Sequence, residues 1–220
     1  MLMVRISKCL LLYAISTAAV VIAILFDLHT LYLLAKPSLM ITLLLYFIAA
    51  SKGYPRWRIY VVIALLFSLA GDVLLMSSDM FVAGLASFLI THVFYIATFL
   101  KTGADKGRLR PLDITKFVLL GIVVTWALYS RLNGMLVPVL LYALVLVTMG
   151  VLAHKRRGAT TIISFSLVST GAFLFVISDS LIAVNKFAFE VPASHLLIMS
   201  SYIAAQYLII QGLLKHQSPG

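Results

Sequence analysis

Two aspartates lie within long apolar stretches of this sequence, Asp72 in FSLAGDVLLM and Asp179 in FLFVISDSLIA. An ionised carboxylate in the hydrocarbon core of a membrane costs about 2.5–3.5 kcal/mol on insertion scales, so such residues are generally kept for a function. If the two side chains meet, mutual repulsion leaves one proton on the pair, which then offers a general acid and a general base together. We therefore predict that Asp72 and Asp179 carry the chemistry of this protein.

Composition indicates which elements hold these residues. The chain has 220 residues, 63% hydrophobic and only 11% charged, whereas soluble domains carry about 25% charged residues. Continuous apolar runs of roughly 17–25 residues are typical of transmembrane helices and lack the alternation of a membrane β-barrel. We predict an all-α, polytopic membrane helical bundle that forms one domain over residues 1–220, with eight transmembrane helices at about 9–26, 31–50, 59–77, 80–100, 117–132, 135–153, 160–184 and 194–214.

The basic residues are distributed unevenly between the two sides of the membrane. Seventeen Lys and Arg against seven Asp and Glu give a formal net charge of +10. Eight spans place fourteen of the seventeen on one side and only Lys36, Arg131 and Lys186 on the other. Positive residues concentrate on the cytoplasmic side, so we expect both termini in the cytoplasm and basic loops that contact anionic lipids, not nucleic acid. The compact length favours a bacterial inner (plasma) membrane, although an endoplasmic reticulum protein would have a similar sequence.

Positions along the predicted helices suggest where the acids lie. With a rise of about 1.5 Å per residue, Asp72 and Asp179 each lie five residues, about 8 Å, before the outer end of their helix. Lys36 lies at a similar distance from the outer start of the second helix. We predict one cavity, open to the outer leaflet, that these residues share with polar side chains of other helices: His92, Tyr95, Asn185, Lys186, Tyr202 and Gln206.

Each of these residues also has a purely structural interpretation. The aspartates can bond to helix ends or to Lys36, and Lys36 can extend to the membrane interface. His92 is as compatible with a satisfied core histidine as with a catalytic one, while Tyr95, Tyr202 and Gln206 are typical interhelical contacts. The chain has one cysteine and no metal-ligand spacing, phosphate-binding loop or serine-hydrolase elbow, so we expect no metal and no other cofactor.

At these positions the chain resembles the YhhN-like membrane proteins, or lysoplasmalogenases. Each match is short, but the order and spacing of the matches are fairly specific and extend over most of the chain. The matching residues are Lys36-Pro37, Ser68-Leu69-Ala70-Gly71-Asp72, Phe81, Gly84-Leu85, Phe88, His92, Tyr95, Gly171-Ala172, Phe175, Ser178-Asp179, Asn185-Lys186-Phe187, Tyr202 and Gln206.

This resemblance implies an enzyme of eight helices that hydrolyses the vinyl-ether bond of lysoplasmalogens, releasing a fatty aldehyde and glycerophosphoethanolamine or glycerophosphocholine. Asp72 and Asp179 would supply one protonated acid and one ionised partner, in an order that the sequence leaves open. Lys36 would hold one carboxylate ionised or bind the lipid phosphate. The remaining candidates would bind the lysophospholipid or orient water: His92, Tyr95, Asn185, Lys186, Tyr202 and Gln206.

Two other functions are compatible with the same residues. A proton-coupled transporter of small molecules or lipids would use the aspartates as a relay, move a solute in liposomes and release no aldehyde. A non-catalytic lipid-binding or scaffolding membrane protein would have no activity that depends on the acids.

Overall fold

The computed structural model describes residues 2–53, 55–132 and 134–216, with side chains from residue 6 onward. Over these ranges the protein is all-helical, which confirms the predicted fold class. The helices are α1 (Leu2–Leu25), α2 (His29–Ala50), α3 (Arg58–Leu74), α4 (Phe81–Phe99), α5 (Pro111–Leu128), α6 (Leu136–Lys155), α7 (Ile162–Phe187) and α8 (Ser194–Leu214). Short turns of 3-10 or π-helix follow α3, α4 and α5, at Ser78–Met80, Leu100–Ala104 and Tyr129–Arg131.

Most of these helices are long enough and apolar enough to cross a bilayer. Among the described residues, seven spans meet that description, and α3 is the helix that falls short. With 17 residues, α3 is about 26 Å long, close to the ~30 Å hydrocarbon thickness. Large apolar side chains such as Leu34, Trp126 and Leu144 are more than 60% exposed, as lipid-facing residues are. The chain is an integral, multi-pass membrane protein, and the cytoplasmic placement of its termini stays a prediction.

Several helix boundaries differ from the predicted ones, for local reasons. α1 begins at Leu2 instead of residue 9, because helical hydrogen bonding continues through the charged residues that hydropathy leaves out. α5 begins at Pro111 instead of 117, since proline is favoured in the first helical turn. It ends at Leu128, four residues early, where a 3-10 turn follows. α3 ends at Leu74 instead of 77, and α7 continues to Phe187 instead of 184. The predicted bounds of α8 are confirmed.

The chain divides into two compact units between Thr98 and Phe99. In the first unit α1 packs on α2 and α2 on α3. The Thr91 hydroxyl of α4 donates to the carbonyl of Ala64 in α3 at 3.1 Å, and the Ser68 hydroxyl donates to Thr91 Oγ1 at 3.2 Å. These bonds fix the register between α3 and α4. The prediction of one domain over residues 1–220 stays a prediction.

In the second unit α5 packs on α6, α6 on α7 and α7 on α8. Helices α7 and α8 pack closely at Gly171, where a Cβ would lie 2.8 Å from the carbonyl oxygen of Ala205. Small residues of this kind let helix backbones approach each other within membranes. The Ser164 hydroxyl of α7 also donates to the carbonyl of Gly212 in α8 at 2.7 Å.

A fully buried arginine joins three segments at one end of the second unit. Arg156, just after α6, donates from Nε to the carbonyl of Thr102 at 3.1 Å and from Nη2 to the Ser164 hydroxyl at 3.0 Å. Burial lowers the pKa of Arg156 from 12.5 to about 10, which leaves the guanidinium charged at neutral pH. Nearby, Asp113 at the start of α5 contacts Arg157 at 3.1 Å and Lys116 at 3.4 Å.

Candidate functional site

Asp72 lies against a lysine in the first unit. Its carboxyl, 2% exposed, places Oδ1 3.9 Å from Nζ of Lys36, which is 6% exposed on α2. That distance is within ion-pair range but too long for a hydrogen bond. The Lys36 ammonium also lies 5.7 Å from the ring centroid of Tyr32, one turn earlier. Lys36 therefore pairs with Asp72 inside the unit instead of extending to the membrane interface.

The residue before Asp72 lies directly against α4. The preceding residue, Gly71, leaves room for the ring of Phe88, since a Cβ there would come within 2.7 Å of it. Further along α4, His92 and Tyr95 are fully buried. The structure thus places both α4 candidates in the interior of the first unit. Their contact with a substrate stays a prediction.

Asp179 has a different partner in the second unit. The hydroxyl of Tyr142, in α6, donates to Oδ2 of Asp179, in α7, at 2.5 Å. The Asp179 side chain is 6% exposed. The neighbouring Ser178 donates its hydroxyl to the carbonyl of Ile198 at 3.1 Å, which attaches this turn of α7 to α8. Contacts to both neighbouring helices therefore orient the Asp179 turn.

Two further candidates lie buried on α8 in the same unit. Tyr202 packs edge-on against Phe175, with ring centroids 5.6 Å apart, and its hydroxyl accepts from Nε2 of Gln206 at 3.5 Å. Both α8 side chains are less than 5% exposed. The contact of Tyr202 with Phe175 of α7 matches the interhelical interpretation of the sequence, whereas the bond from Gln206 lies within α8. Binding of a lysophospholipid by either residue stays a prediction.

The candidates at the end of α7 lie nearer the surface. Asn185 accepts a hydrogen bond from the backbone N–H of Val191 at 3.0 Å and so fixes the turn that leads to α8. Lys186 is exposed. Among the residues that the structure describes, no group of three His, Cys, Asp or Glu side chains is placed to hold a metal ion.

The predicted equal depth of the two aspartates is wrong when measured from the helix ends. Asp72 lies two residues, about 3 Å, before the end of α3, and Asp179 lies eight residues, about 12 Å, before the end of α7. The cause is that α3 ends three residues early and α7 three residues late. Equal depth therefore gives no support to the predicted shared cavity, which stays a prediction.

Tyr142 is the contact that the sequence interpretation missed. It is one of ten tyrosines, so its residue type alone attracts no attention. The signal that could have found it is its surroundings, since it is the one polar side chain in the run LVPVLLYALVLV at 136–147. A lone hydroxyl in the middle of a membrane span needs a polar partner.

Comparison with known proteins identifies relatives of this chain. The profile of the YhhN family matches residues 31–213. The chain is 36% identical over 171 residues to a bovine (Bos taurus) protein named lysoplasmalogenase TMEM86A, covering 74% of the chain and 67% of the relative. It is 31% identical over 153 residues to the mouse (Mus musculus) lysoplasmalogenase TMEM86B, covering 70% of the chain and 62% of the relative.

A bacterial relative matches at similar identity. The chain is 30% identical over 173 residues to a lysoplasmalogenase of Mycobacterium bovis, covering 74% of the chain and 64% of the relative. The matches thus span about two thirds of the length of these relatives. No solved structure matches the chain.

Proposed function

Because the chain belongs to the YhhN family, which matches it from α2 to α8, we propose that it is a lysoplasmalogenase. The observation that carries this proposal is similarity, at 30–36% identity, to proteins of that name from cattle and mycobacteria. The structure supports it with two buried carboxyl groups, Asp72 and Asp179, each held by a polar side chain. None of the three relatives described above is named for transport.

The proposed substrate is a lysophospholipid with a vinyl-ether chain, and the reaction needs one acid and one ionised base. A proton is added to the alkene carbon, which turns the ether into an oxocarbenium ion. Water adds to that cation and gives a hemiacetal, which collapses to a fatty aldehyde and a glycerophospho-alcohol. We assign the proton transfers and the stabilisation of the cation to Asp72 and Asp179.

Other parts of the proposal concern substrate binding and location. We assign binding of the lysophospholipid to Lys36, His92, Tyr95, Asn185, Lys186, Tyr202 and Gln206. We place the protein in a bacterial inner (plasma) membrane with both termini in the cytoplasm, an orientation that the basic residues predicted on one side support.

The test is aldehyde release by the purified protein in detergent or nanodiscs, with lysoplasmenyl ethanolamine and choline lipids as substrates. The matching O-alkyl lysolipid, which has no double bond to protonate, should give no aldehyde. Asp72→Asn and Asp179→Asn should each lower kcat about 10²- to 10⁴-fold, the usual contribution of general acid–base catalysis. Wild-type protein that releases no aldehyde from either lipid would overturn the proposal.

Asp27→Asn is the matched control for these substitutions. Asp27 is an exposed acid between α1 and α2 with a left-handed backbone (φ +52°), a conformation that asparagine accepts readily. Its substitution should leave activity within twofold of wild type. Folded Asp72→Asn and Asp179→Asn variants that are equally active would remove both residues from the proposed chemistry.

A further inference from the structure

We infer that Lys36 and Asp72 together bind the free hydroxyl on the middle glycerol carbon of the lysophospholipid. This inference rests on the proposed function and adds to it the group of the substrate that the pair recognises. Its basis is the geometry of the ion pair in the first unit, where Nζ of Lys36 and Oδ1 of Asp72 lie 3.9 Å apart. At that distance the two groups attract each other without a direct hydrogen bond.

The Lys36 ammonium is a buried donor with unused hydrogen-bonding capacity. An ammonium group has three N–H donors, and in the part of the chain that the structure describes no atom accepts a hydrogen bond from any of them. The Lys36 side chain is only 8% exposed. The desolvation of a buried ion pair is offset only when further hydrogen bonds satisfy its remaining protons. This arrangement therefore indicates that a ligand oxygen binds beside Nζ of Lys36.

The separation of the two groups fits one bridging oxygen. An oxygen at a hydrogen-bond distance of about 2.8 Å from both atoms fits beside a pair that is 3.9 Å apart. Such an oxygen accepts a hydrogen bond from Nζ of Lys36, and its own hydrogen is donated to Oδ1 of Asp72. A carboxylate can accept from several donors at once, so this contact is compatible with the other bonds of Asp72.

The charges of the pair select a neutral hydroxyl over the other polar groups of a lysophospholipid. The phosphate would lie against the Asp72 carboxylate, and an ethanolamine or choline cation would lie against the Lys36 ammonium. Like charges at such distances repel each other. A hydroxyl both accepts and donates a hydrogen bond, so it suits a cation and an anion together. The geometry thus favours a hydroxyl over the phosphate that the sequence left open as a partner of Lys36.

The position of the pair along its helices suits the glycerol part of a lipid. Lys36 lies seven residues, about 10 Å, after the first residue of α2, and Asp72 lies two residues before the end of α3. Glycerol lies between the headgroups and the hydrocarbon chains, which is the level of the ends of membrane spans. The hydroxyl-bearing carbon of the lysophospholipid neighbours the carbon that carries the ether oxygen. Binding of the hydroxyl therefore brings the vinyl-ether bond close to Asp72.

The test compares the binding of two unreactive lipids to the wild-type protein in nanodiscs, by titration calorimetry. One is the O-alkyl lysolipid, and the other is its 2-deoxy analogue, in which hydrogen replaces the middle hydroxyl. Wild type should bind the 2-deoxy lipid about ten- to hundredfold more weakly, the effect of losing hydrogen bonds to charged groups. Equal affinities would mean that water, and not the lipid, binds beside the pair, and would overturn the inference.

Lys36→Arg separates hydroxyl binding from the structural role of the pair. It keeps the positive charge, but the longer, planar guanidinium can donate directly to the Asp72 carboxyl and fill the space between the two groups. Thermal unfolding should show a folded protein in which the preference for the O-alkyl lysolipid falls to about twofold or less, since no buried donor then depends on the lipid hydroxyl. Lys52→Arg, at an exposed lysine in the turn after α2, is the control and should keep the full preference.

The binding comparison and aldehyde release can fail independently of each other. A folded Lys36→Arg protein that keeps the full preference would overturn the inference, because the hydroxyl is then recognised elsewhere. If Lys36→Arg does not fold, the wild-type comparison alone decides. Wild type that releases aldehyde but binds both unreactive lipids equally would overturn the inference and keep the proposed function. Wild type that prefers the lipid with the hydroxyl but releases no aldehyde would keep the binding site and overturn the proposed hydrolysis.

Discussion

The two intramembrane carboxyl groups lie in different kinds of surroundings. In the first unit Asp72 faces a buried cation, Lys36, whose ammonium also lies 5.7 Å from the ring centroid of Tyr32. In the second unit Asp179 accepts from the hydroxyl of Tyr142. The first contact is between two oppositely charged groups, whereas in the second a neutral hydroxyl donates to the carboxyl group. Residues of one type at buried positions can therefore be held by different kinds of contact.

The largest effect is expected from breaking the ion pair. Lys36→Met should lower the free energy of unfolding in detergent by about 3–5 kcal/mol, because it leaves a buried carboxylate without its cation. Lys36→Met combined with Asp72→Asn should recover part of that loss, since both charges are then absent. Lys52→Met, at an exposed lysine in the turn after α2, is the control. A Lys36→Met protein within 1 kcal/mol of wild type would show that Asp72 does not depend on this cation.

Glycine-to-alanine substitutions compare how tightly the helices are packed in each of the two units. Gly171→Ala should destabilise the second unit by about 1–3 kcal/mol, because the new Cβ meets the backbone carbonyl of Ala205 at 2.8 Å. Gly71→Ala should cost less, since its contact at 2.7 Å is the edge of the Phe88 ring, which can shift. Thermal unfolding of both variants measures the difference. Gly121→Ala, which meets only the end of the Val147 side chain, is the control, and equal losses at Gly71 and Gly171 would contradict the expected order.

Removal of the Tyr142 hydroxyl should have a smaller effect on stability than removal of Lys36. A neutral hydrogen bond contributes about 1 kcal/mol, so Tyr142→Phe should lower the free energy of unfolding by about that amount. Chemical denaturation of this variant beside Lys36→Met measures the ratio. Equal losses of stability in the two variants would contradict the expected order.

The smallest expected effect on stability comes from His216, a titrating residue outside the membrane spans. Its contribution must be measured separately from that of the carboxyl groups in any pH experiment. Burial, and then the charge of Arg156, lower the pKa of His216 from 6.5 to about 4, and its Nδ1 lies 2.9 Å from the Thr160 hydroxyl. The unfolded chain takes up the proton first as the pH falls below 6.5, so the His216 contribution to stability is lost between pH 6.5 and about 4.

His216→Gln isolates that contribution. Because His216 is partly exposed, we expect wild type to lose only about 1 kcal/mol more than the variant when the pH falls from about 7.5 to 5. Unfolding at the two pH values measures the difference. Equal losses would mean that His216 does not titrate in this range, and the acid dependence would then come from other groups.

Hydropathy predicted the all-helical fold and the approximate positions of all eight helices, because continuous apolar runs are decided by composition alone. Helix ends depend on local capping and turn geometry, which explains the errors at Pro111 and Leu74. The contact between Lys36 and Asp72 was considered as one possibility, since both residues are expensive in a membrane. The contact between Tyr142 and Asp179 was not found, because it depends on the rotation of α6 about its axis, and a span that is almost wholly apolar gives little information about that rotation.

The connection between α4 and α5 has a practical consequence for experiments on this protein. Although it is the longest connection in the chain, the Arg108 amide donates to the carbonyl of Arg157 at 2.9 Å, and Gly107 has no room for a Cβ beside the carbonyl of Lys155. A fusion domain or epitope tag inserted there would disrupt the hydrogen bonds that join this connection to Arg156 and Arg157. The turn at Gly53, with no atom within 4 Å of a built Cβ, is the better insertion point for a fiducial in electron microscopy.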